Sequence, residues 1–214
     1  MFRDEAEEKF LQINALIFKG KLEQACESLK EARTDAVDAG YSSEAAFFSN
    51  VLGSLLSSQE GSEESSLDAY IQAEALEPLE ARWKLSVANF LLNGFEKPGE
   101  ALSKGREALS LGSTPHDLHG AHSIVGLALL RLGEEDGARN HFNQSAAPEI
   151  IGTFAASSCD LRLAEGLLRS VQMPATVPDY LQLVLEKARY EEDHSTLERV
   201  DKLLNEIGEV RSSG

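Results

Sequence analysis

This 214-residue sequence predicts an all-α solenoid of stacked helical hairpins, closed at its C-terminal end by capping helices, and three observations predict it. The first is a spaced signature carried four times: a Gly, a small residue five positions on, a large one four further, and another small one after three more. It reads Gly20, Ala25, Leu29, Ala32, then Gly61, Ser66, Tyr70, Ala73, and last Gly133, Ala138, Phe142, Ser145. Between the second and last lies a looser copy, Ala101, Gly105, Ala108, with its Gly displaced to Gly94. The second observation is the interval between the small anchors, 41, 35 and 37 residues, the period of one helix–turn–helix unit. The third is that apolar residues recur at three and four almost throughout, with Leu and Ala dominating and β-branched residues sparse.

Taken in order, Phe10, Ile13, Leu16 and Ile17 trace one helical stripe that Gly20 ends, since a tight αα-turn needs a residue tolerant of positive φ. Helix resumes from Leu22 through Ala32, followed by several extra residues around Asp38–Ser43. The next helix starts at Ser42 or Ser43, and Ser62 with Glu63 and Glu64 reads as the N-cap of its partner. Glu77-Pro78 stops that partner. The third hairpin is expected over 80–92 and 98–111, with Pro98 in a first helical turn, and the fourth over 116–132 and 134–145. Beyond Pro148 the signature disappears, but helical periodicity continues in 161–168, 180–190 and 197–207. Ser195 and Glu198 form a capping box there, and Gly208 follows the last helix. We therefore expect four hairpins over 1–148 and a helical cap, continuous with them, over 149–214.

The composition narrows the partners. Twenty Lys and Arg against 36 Asp and Glu give a net charge of −16, which repels phosphate backbones and anionic membrane surfaces; nucleic acid and membrane are not expected partners. The N-terminus lacks the apolar stretch of a signal peptide, no run approaches a membrane span, and two cysteines supply no disulfide framework. A cytoplasmic location is the expectation.

The hairpins resemble tetratricopeptide repeats over residues 6–147. The fourth unit carries Gly126, Leu129, Gly133, Ala138, Phe142 and Ser145 at that motif's spacings, the second adds Pro78 at the end of its second helix, and the third has Trp83 near the start of its first. The resemblance implies a right-handed solenoid and a non-enzymatic scaffold that binds a protein or peptide segment on its concave face. That face is lined by the first helix of each hairpin: Phe10, Asn14, Phe48, Val51, Leu55, Lys84, Ala88, Leu127 and Arg131. Arg131 would pair an acidic group, while the overall acidity favours a neutral or basic partner elsewhere. The carboxylate clamp of one subgroup is not carried over, because only Asn14 matches and the companion slots read Phe10, Leu52, Gly120 and Ile124. No cofactor is implied, and the chain is expected to be a monomer or weak homo-oligomer.

Two other readings stand beside this one. A helical domain could self-associate through its apolar faces. Alternatively, His116, His119 and His122, with His141 on the partner helix, could supply a metal or catalytic site. Steps of three drift around a helix, however, so the outer two histidines converge poorly. Ser157-Ser158-Cys159-Asp160 could suggest a nucleophile; Asp160 as the cap of the following helix explains it better. Neither a Walker-type loop, nor GxSxG, nor HExxH is present.

Overall fold

The computed structural model describes the backbone of residues 2–170 and 173–212, and side chains over 5–170 and 173–208. All regular structure among the described residues is helical. The helices are α1 (Phe2–Phe18), α2 (Leu22–Asp38), α3 (Ser42–Ser57), α4 (Glu63–Leu76), α5 (Ala81–Asn93), α6 (Pro98–Leu111), α7 (Pro115–Arg131), α8 (Glu135–Ser145), α9 (Pro148–Ile151), α10 (Arg162–Leu168), α11 (Thr176–Tyr190) and α12 (His194–Ser212). A short 3-10 turn spans Ala156–Ser158. Two compact units divide the chain between Lys97 and Pro98.

In the first unit α1 pairs with α2 and α3 with α4, α2 packs on α3, and α5 packs on α3 and α4. The turns are those the glycines dictate. Gly20 adopts φ +70°, and its flanking amides close on α1: Gly20 N–H donates to Ile17 at 2.9 Å and Lys21 N–H to Leu16 at 2.9 Å. This pairing satisfies two of the helix's last carbonyls. Gly40 (φ +79°) repeats the arrangement at the end of α2, with Tyr41 N–H donating to Ala36 at 2.8 Å. The extra residues around Asp38 are thus absorbed as one more helical turn instead of a loop. Ala25, Leu29 and Ala32 from α2 join Ile13, Phe48, Leu52 and Leu55 in one core. In the second hairpin the small anchor is Ser66, fully buried; its hydroxyl donates to the Gly53 carbonyl at 2.7 Å, which makes a serine tolerable at a close crossing.

In the second unit α6 packs on α7 and α7 pairs with α8; α9 and α10 then pack on α7, and α11 pairs with α12. Thr114 caps α7, its hydroxyl oxygen accepting from Asp117 N–H at 3.1 Å, with Pro115 in the first turn. Gly133 (φ +80°) closes α7 as Gly20 closes α1. A methyl at Gly126 would overlap the Leu163 side chain of α10 and lie 3.4 Å from the Ala138 carbonyl of α8. The missing side chain is what lets three helices meet there.

Several local expectations are corrected. Gly94 sits in the right-handed region (φ −88°) at the C-cap of α5, and the left-handed residue of that connection is Glu96 (φ 52°). The Ser62 side chain makes no cap hydrogen bond; its carbonyl accepts from Ser66 N–H at 2.8 Å. The cap of α12 is Asp193, not Ser195: Asp193 accepts from Thr196 N–H at 3.1 Å and from its hydroxyl at 2.6 Å. Gly208 lies inside α12.

Ala138 has no exposed surface at the α7–α8 crossing. Replacing it with Leu adds volume where none is free, and we expect a loss of roughly 1–3 kcal/mol in denaturant-induced unfolding. An unchanged midpoint would contradict the close crossing.

Candidate interaction surface

The outward face of the first helices is set by which residues each helix buries. On α3, Ala45, Phe48, Ser49, Leu52 and Gly53 turn inward, which leaves Ser43, Phe47 and Ser54 recurring at helical spacing on the opposite side. On α1, Ala6 and Ile13 are buried, and Glu7 and Phe10 lie beside them toward the open side. A groove of about 480 Å³ runs between these helices, lined by Ala6, Glu7 and Phe10 of α1, Ser43, Glu44 and Phe47 of α3, and Arg82 of α5. Its floor is aromatic: Phe10 and Phe47 meet edge to face with centroids 4.9 Å apart. Phe47 remains 37 % exposed. Arg82 at the rim lies 4.4 Å over the Trp83 ring and reaches Glu77 (3.6 Å) and Glu80 (3.7 Å). A separate depression between α1 and α2 is lined by Lys9 and Asp35, which ion-pair with each other.

The residues predicted to line a groove fall into two sets. In the first unit, Phe10 lines the groove, and Asn14 and Val51 are half-buried, Val51 packing against the core. Phe48, Leu55 and Ala88 are buried, with Phe48 only 1 % exposed. Lys84 is drawn inward by Glu74 of α4, its ammonium 2.7 Å from the carboxylate. In the second unit, Leu127 is buried and Arg131 is exposed near the end of α7. The lining residue missed on α3 is Phe47, adjacent to the chosen Phe48. Successive helical residues point about 100° apart, so one residue separates a core ring from a surface ring. The exposure of Ser43, Phe47 and Ser54 at steps of four and seven is the signal that separates them.

The histidine cluster resolves into packing. His116 is exposed, its ring edge against Phe154 at 5.4 Å. His119 is buried with both ring nitrogens engaged: Nδ1 lies 3.0 Å from the Ser145 carbonyl, and Nε2 accepts from Asp160 N–H at 2.8 Å. These two partners fix a neutral imidazole with its proton on Nδ1. His122 Nδ1 faces His141 Nδ1 at 2.9 Å. Among the described residues no group of three or more His, Cys, Asp or Glu is placed to hold a metal ion. Burial pushes the Cys159 thiol up to about 12, the reverse of an activated nucleophile. Asp160 accepts from Arg162 N–H at 3.0 Å and ion-pairs with its guanidinium at 2.5 Å, so it anchors the start of α10.

No family model and no curated protein matches this chain. Solved structures do. MamA, in the RS-1 ArsTM double mutant, superposes with a TM-score of 0.54 at 15 % identity, covering 99 % of this chain and 98 % of that one. PilW, described as a widely conserved type IV pilus biogenesis factor, superposes with a TM-score of 0.54 at 16 % identity, covering 93 % and 91 %. Both are helical-repeat proteins of the tetratricopeptide kind, and the likeness identifies the fold: an all-α, tetratricopeptide-like solenoid of helical hairpins.

Two expectations test this geometry. Phe48→Ser removes a ring from the core and should cost about 3–5 kcal/mol in chemical denaturation. Phe47→Ser, on the open side, should cost less than half as much; equal losses would contradict the assignment of the two faces. The second concerns pH. Burial lowers the pKa of His119, of His122 (to about 4, with help from His141 and His119) and of His141 (with help from Arg106); Asp160 opposes and His116 adds to the shift at His119. The unfolded chain therefore binds these protons more tightly than the folded one. Stability is full above the ordinary histidine value of about 6.5 and is lost as pH falls through the window below it. Thermal melts from pH 7 to 5 should show Tm falling, with a shallower slope in His119→Asn. An unchanged slope in that variant would remove His119 from the effect.

Proposed function

We propose that this chain is a non-enzymatic scaffold that binds a protein or peptide segment on the face formed by α1, α3 and α5. The observation that carries the reading is the open groove with an aromatic floor, Phe10 against Phe47, bordered by charged side chains. Such a surface suits a segment that seats an apolar side chain and aligns polar groups along the rim. Its fold supports the same reading, since stacked hairpins present extended surfaces built from the first helix of each repeat. The centre of the site moves from Phe48 and Leu55 to Phe10 and Phe47. Two buried free thiols, Cys26 and Cys159, suit a reducing compartment such as the cytoplasm.

A photo-crosslinking amino acid at position 47 should yield a discrete adduct in lysate of the source cell. The same group at Tyr190, 90 % exposed in the second unit, should not. Equal labelling from both positions, or none from position 47, would count against the groove.

A further inference from the structure

We infer that the occupant of the α1–α3–α5 groove is a basic segment carrying an aromatic or large aliphatic side chain; this rests on the reading of the groove as a binding site. The groove's lining holds two carboxylates, Glu7 and Glu44, and one cation, Arg82. Among the described residues neither Glu7 nor Glu44 has an ion-pair partner. Arg82 does: it is shared between Glu77 and Glu80 and stacked on Trp83. Among the described residues the one positive charge at the rim is thus already paired with its own neighbours, and the unpaired charge facing the groove is negative.

The wider field has the same sign. The first unit carries nine Lys and Arg against eighteen Asp and Glu. A segment with Lys or Arg on either side of an apolar residue meets both features at once. The apolar residue covers the exposed part of Phe47 and the Phe10 edge, while the flanking ammonium or guanidinium groups approach Glu7 and Glu44. An acidic segment meets repulsion from both carboxylates and must compete with Glu77 and Glu80 for Arg82.

The experiment is selection from a phage-displayed library of random 12-residue peptides on the immobilised 214-residue chain, with counter-selection on the Phe47→Ser variant. Helicity of every variant is checked by circular dichroism. The expected enriched peptides carry net positive charge and at least one Phe, Trp, Leu or Ile. Their affinity, measured by fluorescence anisotropy with synthetic labelled copies, should fall about fivefold or more in Glu7→Gln/Glu44→Gln, two surface changes that leave the core intact, and should weaken as salt is raised. Enriched peptides that depend on Phe47 but are neutral or acidic would overturn the charge assignment and leave the groove standing. Enrichment that is indifferent to Phe47, or no enrichment, would overturn the groove and this inference together.

Discussion

The three hairpins that carry the signature within a single unit, α1–α2, α3–α4 and α7–α8, share one constraint: a small residue sits where the two helices cross. Ala25 and Ala138 are fully buried at these crossings, and Ser66 is admitted because its hydroxyl has the Gly53 carbonyl to bind. Interaxial distance between packed helices follows the size of the side chains at the contact, so the crossing decides everything around it. Large residues are displaced to the sides, where Tyr70 covers Gly53 and Phe142 meets the Tyr180 ring edge to face at 5.4 Å. Gly126 extends the rule to a third helix, letting α10 come against α7 beside Ala138.

The same constraint explains what could be read from the sequence. Small anchors and turn glycines act through their own backbone and their immediate neighbours, so Gly20, Gly61 and Gly133, all with positive φ, were legible from spacing alone. So was the start of α6, set by Pro98. Features fixed by choice among similar neighbours were not. Asp193 and Ser195 are both good caps, and the helix start at His194 selects the former. Glu96 takes a left-handed conformation that a nearby glycine would have been expected to take. The expected groove lining shows the same limit: Phe47 and Phe48 are chemically identical, and only the rotation of α3 against α1 and α2 decides which is core.

Long-range polar contacts left even less trace. His119 binds a carbonyl 26 residues away and an amide 41 residues away, and no local pattern announces either. Yet this residue ties α7 to the end of α8 and to the segment that begins α10. A histidine motif that reads as chemistry is, in the folded chain, a brace of backbone hydrogen bonds. Lys84 behaves similarly: a cation on a first helix, read as exposed, is held inside by Glu74.

The row of rings at the groove has a further consequence. Phe47 touches Phe10 on one side, and its centroid lies 5.7 Å from Phe48 on the other, so an exposed ring is mechanically continuous with the core of the first unit. One wall of the groove is α1 itself. If the groove binds a segment as proposed, the site is complete only with α1 in place against α2, and an occupant would favour that arrangement over any in which α1 lifts away. Its apparent affinity would then equal the intrinsic affinity multiplied by the fraction docked. On that reading, substitutions at α1–α2 contacts outside the groove lining, such as Ile13, would tune binding strength without touching a bound segment.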